Sequence, residues 1–356
     1  MAPRREQVHL RIERGLLRLN PIVLGTIAAL LATVKSGVTT FWEIPVWGLD
    51  TWPEPIPFYP YLAYGYRIVG KLTGADSQQD YLIIAVVAWG LTLVVSSWAI
   101  SSVMPRTAAQ WALLVMLSGP LVWVLAGGVG RIDPLVVMGG ILIGAKGRQP
   151  FWAIAGAVIA ALGNPEMSVV IALSVILVSL TQSFRAWRPG AVMAGVAASV
   201  VWGVLRWWAF LLNQDTRDGV FSENWKKSAV AFFSSFPLEL YAGFGMTIIL
   251  VLWGIVMSSR WERWLIIVGA LVIPLTLTIT TTDQSRVMAL ASSGAVSMMV
   301  VRYGGDARDW LAIRISQPLT ATLAVVVFLP AVEIQFDHVM VPWAEIWPYL
   351  ARLLAR

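Results

Sequence analysis

Apolar runs of about 17 to 25 residues recur along this chain, each long enough to cross a bilayer as a helix, and they limit the fold more than any other feature. Of the 356 residues, 58% are hydrophobic and 13% charged, and the mean hydropathy is +0.72. A soluble domain of that length needs about twice as much charge to cover its surface. A membrane barrel would show short alternating strands instead of continuous runs. The chain therefore reads as an all-α, polytopic transmembrane bundle.

Spans are predicted at 21–41, 82–104, 108–127, 132–146, 150–163, 166–182, 189–212, 238–258, 262–281, 286–302 and 316–334, about eleven in all. Residues 1–20, with PRREQVHLRIERGLLR, read as a basic amphipathic helix on the cytoplasmic surface. The transmembrane domain covers 21–334, with outer loops at 42–80 and 213–237, and residues 335–356 form an extracytoplasmic, helical interfacial tail. The orientation follows from the positive-inside rule. Arg106, Lys146, Arg148, Arg185, Arg188, Arg260, Arg263, Arg302, Arg308 and Arg314 fall in loops on the N-terminal side of the membrane. The N-terminus is thus placed in the cytoplasm and the C-terminus outside. Compactness and the lack of N-x-S/T sequons suit a bacterial inner membrane.

Several chemistries have no residues here. There is no cysteine, and His9 and His338 lie in opposite terminal regions, which removes thiolate chemistry and histidine metal pairs. Carboxylates without histidines would suit only a hard cation such as Mg²⁺ or Mn²⁺; no metal ligand is assigned. The sequence contains no P-loop, dinucleotide fingerprint, metalloprotease helix or nucleophile elbow. The net charge of +6 is spread over short loops, so its partners are anionic lipid head groups and not nucleic acid.

The acids gather at the outer ends of different spans, where charge close to hydrocarbon is costly and marks function. Asp50, in WGLDTWPEP, can act as a general base on an acceptor hydroxyl or can be a solvated loop acid; Glu54 and Glu43 share its loop. In GGVGRIDPL, Asp133 is a helix N-cap candidate before Pro134, and Arg131 suits bidentate binding of phosphate or carboxylate. Glu166, in LGNPEMS, falls in a first helical turn after Asn164 and Pro165, which also allows a sugar- or cation-binding role. Asp283 and Arg286, in TTTDQSRVMAL, are spaced i,i+3; they form an internal ion pair or hold a head-group phosphate. Lys226 and Lys227 follow Trp225 and can snorkel to the interface or meet an anion.

An acid in the first outer loop, a proline-aromatic segment after it, many short spans and outward Arg and Asp pairs together resemble the polyprenyl-phosphate-dependent membrane glycosyltransferases of the GT-C superfamily. The residues that carry the resemblance are Asp50 in WGLDTWPEPIPFYPY, Arg131 and Asp133 in GRIDP, Glu166 in NPE, and Asp283 and Arg286 in DQSR. The resemblance implies transfer of a sugar from a lipid-linked donor to a glycan or lipid acceptor on the extracytoplasmic face. By that analogy Asp50 is the base. Arg286, Arg131 or the Lys226–Lys227 pair then holds the donor phosphate. The first loop has no paired acid of the Asp-Asp or Asp-Glu kind, and no large soluble C-terminal domain follows the spans. Other readings of the same residues are a polysaccharide polymerase or ligase, a lipid or sugar transporter or flippase, and a non-catalytic subunit of a membrane complex.

Overall fold

In a computed structural model, residues 2–37, 68–126, 131–211, 218–281, 283–335 and 338–340 are described. Among the described residues the regular structure is helical apart from one pair of short strands. The first helices are α1 (Ala2–Arg18), α2 (Pro21–Ser36), α3 (Gln78–Ser101), α4 (Arg106–Leu117) and α5 (Pro120–Ala126). Then come α6 (Asp133–Ala145), α7 (Pro150–Gly163), α8 (Pro165–Ser179), α9 (Arg188–Leu211), α10 (Asp218–Ser234) and α11 (Phe236–Phe244). The remainder is α12 (Ile248–Met257), α13 (Arg260–Ile266), α14 (Ile273–Ile279), α15 (Gln284–Arg314), α16 (Pro318–Phe328), β1 (Glu333–Gln335) and β2 (His338–Met340).

Among the described residues, five helical stretches are long and apolar enough to span a membrane, or seven if two bent helix pairs each count as one. Eleven is reached only by adding α6, α7, α8 and α16, which have 11 to 15 residues each. At 1.5 Å per residue such helices measure about 16 to 22 Å, short of a hydrocarbon core of about 30 Å. The predicted outer loop at 213–237 is largely the helix α10. In the tail expected to be an interfacial helix, residues 338–340 form β2, paired antiparallel with β1, and 341–356 lie outside the described residues. Within the predicted outer loop at 42–80, residues 68–73 are helical and 42–67 lie outside the described residues.

Helix ends follow local grammar. Asn20 Oδ1 accepts from the Ile22 N–H and Asn164 Oδ1 from the Met167 N–H, each just ahead of a proline that needs no donor. Ser77 and Asp80 form a capping box at the start of α3. Breaks inside spans also have causes. Gly119 and Pro120 separate α4 from α5, which meet at 50°. Gly245, at φ +52°, ends α11. Pro274 lacks the N–H that a continuous α-helix would use, and the turn before it widens to a π-helix at Ile267–Val272.

The centre of the bundle is α15. Within its most apolar window 83% of residues are buried, against 22–44% in the other long helices. Its neighbour α6 approaches on two faces through glycines. A Cβ on Gly144 would lie 2.1 Å from the Gly294 carbonyl of α15, and one on Gly139 would lie 2.3 Å from the Gly156 carbonyl of α7. Lipid supplies no hydrophobic drive between helices, so such close backbone contact is how they associate. Trp187 Nε1 donates to the Gly144 carbonyl at 2.8 Å, which ties the 3₁₀ turn at Gln182–Trp187 to the same place.

Helix α1 is fastened across the opposite end from Asp133, bent 115° from α2. Glu13 is buried and accepts from the Leu319 and Thr320 N–H groups at 3.2 and 2.7 Å, capping α16. Arg106 and Gln110 donate to the last carbonyls of α1 and to Leu19, while Arg11, Arg14 and Arg18 stay exposed.

Candidate functional site

The first turns of α6 and α15 lie at the same end of the bundle, and their charges meet there. Arg286 grips Asp133 with a two-pronged fork, Nε to Oδ2 at 2.6 Å and Nη2 to Oδ1 at 2.7 Å. Its Nη1 donates to Asp283 Oδ2 at 2.9 Å, and Arg131 Nη1 donates to the same oxygen at 3.1 Å. The result is a chain of alternating charge, Asp133–Arg286–Asp283–Arg131, joining two helices and the segment before α6.

Asp133 is 1% exposed, whereas the other three side chains are 14–24% exposed. It is the first residue of α6, not the N-cap: Ile132 holds that position, and no side chain caps the helix there. The carboxylate that could have bonded its own helix turns to Arg286 instead, because a charge buried this deeply is costly without a counter-charge. Asp283 sits at the N-cap of α15 and likewise makes no cap bond. Burial pushes the Arg131 guanidinium below its ordinary value, as does the neighbouring Arg286; Asp283 and Asp133 oppose both.

This arrangement favours holding an anion. Asp133 is engaged at both oxygens, so it orients Arg286 and does not face a substrate. Arg286 has five N–H donors and uses three on carboxylates, which leaves an edge of the fork for another acceptor. Asp283 Oδ1 accepts no hydrogen bond among the described residues, so a hydroxyl could meet it. The described carboxylates do not fit a metal: Asp133 and Asp283 are bound to guanidinium groups, and no group of three acids or histidines is present among the described residues.

Of the residues singled out in the sequence, Arg131, Asp133, Asp283 and Arg286 are thus brought together. Glu166 lies at the same end, where a Cβ on Gly163 would come 3.1 Å from the Ile132 carbonyl, but its carboxylate pairs with Arg206 at 3.4 Å. Lys226 and Lys227 are exposed on α10, with Lys226 Nζ 5.9 Å from the Trp225 ring. The main chain of α10 reaches α15 one residue further on, where Gln284 Nε2 donates to the Ser228 carbonyl at 2.7 Å. Asp50, Glu54 and Glu43 lie outside the described residues.

Three polar groups were not anticipated. Lys35 is 3% exposed near the end of α2 and donates to the Val326 carbonyl. Glu239 of α11 is fully buried, and its Oε2 has no partner. Ser285 Oγ both donates to and accepts from Ile334, which clamps β1 to the first turn of α15 beside Arg286. A lone Lys in ALLATVKSG and a lone Glu in FPLELYAG were the available signals, each a single charge inside an apolar run.

No family model and no curated protein matches the sequence. The structure is similar to the crystal structure of the Archaeoglobus fulgidus oligosaccharyltransferase in complex with Zn and sulfate, with a TM-score of 0.45 and 14% sequence identity, over 85% of this chain and 52% of that one. The chain spans about half the length of that protein.

Proposed function

We propose that this protein is a membrane glycosyltransferase that moves a sugar from a polyprenyl-phosphate donor to a lipid or glycan acceptor on the extracytoplasmic face. The observation that carries the reading is the Asp133–Arg286–Asp283–Arg131 chain at one end of the bundle, mostly buried and with unused donors on Arg286. The basic residues at the far ends of α6, α8, α12 and α15 orient that end outward by the positive-inside rule. A donor of this class has an apolar tail, an anionic head and a sugar. It needs a cation at head-group depth that stays fixed while negative charge develops on the leaving phosphate.

In this mechanism Arg286 holds the departing phosphate, with Asp133 fixing the plane of its guanidinium. Arg131 adds positive charge beside it, and Asp283 receives a sugar or acceptor hydroxyl at Oδ1. Asp50 removes the proton from the acceptor hydroxyl as that oxygen attacks the anomeric carbon, and the carbon–phosphate oxygen bond breaks with the electron pair leaving on phosphate. Glu54, Glu166, Lys226 and Lys227 complete the set of substrate-binding residues.

The test is radiolabelled sugar transfer from a panel of polyprenyl-phosphate sugars by protein reconstituted in vesicles. Arg286→Lys keeps the charge but loses the fork, and transfer should fall at least about tenfold. Asp50→Asn should remove transfer by orders of magnitude. Unchanged transfer in Asp50→Asn moves the base to another carboxylate, and no transfer from any donor by folded wild-type protein rejects the glycosyltransferase reading.

A further inference from the structure

Where α2, α5, α11 and α16 meet there is a cavity of about 10 Å³, room for roughly one oxygen-sized group. It forms where two spans break. Gly119, between α4 and α5, and Gly245, after α11, both line it. A Cβ at Gly245 would sit 2.6 Å from Pro120 Cδ, and φ there is +52°, so the two breaks fit together only with glycine. Irregular backbone within a membrane bundle is tolerated where it lines a cavity.

Four described polar side chains line it, and two of them, Lys35 and Trp123, keep an N–H that no described acceptor takes. Lys35 is 3% exposed and Trp123 is 2% exposed. The ammonium of Lys35 has three N–H bonds and, among the described residues, one acceptor, the Val326 carbonyl near the end of α16. Trp123 Nε1 has no acceptor among the described residues. Tyr241, whose ring lies 5.7 Å from that of Trp123, already donates its hydroxyl hydrogen to the Pro330 carbonyl. Ser118 spends its hydroxyl hydrogen on the preceding turn. Among the described residues no carboxylate lines the cavity, and no member of the Arg286 chain does. A lysine that merely capped α16 or eased strain would snorkel to the surface, as long cationic side chains near span ends do. Here the ammonium points inward beside a second unsatisfied donor.

We propose that this cavity is an anion subsite that takes one oxygen of a phosphate group, with Lys35 supplying the charge and Trp123 a neutral N–H. Phosphate is the anion that membranes present at head-group depth, and a lysine binds it as a point charge. In choosing phosphate the proposal rests on the lipid-phosphate reading given above; the unpaired donors do not depend on it. A lipid head group and free phosphate offer the same oxygen.

The test is equilibrium binding of radiolabelled farnesyl monophosphate and, separately, of inorganic phosphate to the full chain in phosphatidylcholine nanodiscs. Lys35→Gln should weaken binding about tenfold or more, and Trp123→Phe by about fivefold, the usual ratios for losing a charged and a neutral hydrogen bond. Trp123→Phe removes the N–H while keeping an aromatic ring, and its melting temperature, read beside the binding, shows that it is folded, so it remains decisive if Lys35→Gln folds poorly. Lys35-dependent binding of inorganic phosphate alone assigns a free anion, and binding that requires the isoprenoid chain assigns a head group; each supports the subsite. Binding indifferent to both substitutions, or no phosphate binding by wild type, overturns it. Sugar transfer is read in a separate assay. If every donor fails there while Lys35-dependent binding persists, the glycosyltransferase reading falls and the subsite stands.

Discussion

At the scale of single residues, burial ranks the members of the charged chain. Asp133 is 1% exposed and meets Arg286 through two short bonds, while Asp283 is 21% exposed and meets Arg286 through one. Removing one partner of a buried pair leaves an uncompensated charge, whereas exposed pairs contribute about 1 kcal/mol or less. Asp133→Asn should therefore destabilise the protein by about 3 kcal/mol. Asp283→Asn should cost about 1 kcal/mol or less and act mainly on substrate affinity. Thermal unfolding in detergent beside a substrate-binding isotherm checks the ranking, and a larger stability loss in Asp283→Asn would reverse it. The four residues were legible in the sequence as separate pieces. Asp283 and Arg286, three apart, could be paired on spacing alone, but Asp133 and Arg286 are 153 residues apart and only the packing of α6 on α15 joins them. Lys35 and Glu239 escaped notice because the mean hydropathy of a span hides one charge within it.

At the scale of elements, the glycines of α6 set how near its neighbours can come. A Cβ on Gly139 would enter the Gly156 carbonyl of α7, and one on Gly144 the Gly294 carbonyl of α15; both obstacles are backbone, which cannot rotate away. Gly203 of α9 has nothing within 4 Å of its ideal Cβ position. Gly139→Ala and Gly144→Ala should each lose about 1–3 kcal/mol through forced separation of the helices. Gly203→Ala should be neutral or slightly stabilising, since alanine favours a helix. Melting temperatures of the three variants decide the matter, and equal values would mean the α6 contacts are slack. Gly144→Ala also threatens the site, because the same two helices hold Asp133 and Arg286. The presence of apolar helices could be read from hydropathy, and the caps at Asn20 and Asn164 from their prolines. The break of the third predicted span into α4 and α5 could also be suspected from Gly119-Pro120. The π turn in α13–α14 could not, since Pro274 alone does not say how the helix will absorb it.

At the scale of the whole molecule, the helical class follows from hydropathy, but the number of spans does not. Helices of 11 to 15 residues such as α6, α7, α8 and α16 can cross a locally thinned bilayer or stop within it, and a sliding average gives both the same score. Orientation is more tractable, because the chain contains no cysteine and a single introduced thiol reports its own side. Lys227 and Arg148 are both exposed. Lys227 belongs to the Asp133 end, since the adjacent Ser228 carbonyl accepts from Gln284 at the start of α15. Arg148 follows α6 at the opposite end and stacks on Trp187 at 4.0 Å. If short basic loops stay inside, a membrane-impermeant maleimide should label Lys227→Cys in intact cells and reach Arg148→Cys only after permeabilisation. The reverse pattern would place the Asp133–Arg286 chain on the cytoplasmic side, where a donor exposed on the outer leaflet could not reach it. Labelling of both thiols in intact cells would mean that α6 does not separate the two compartments.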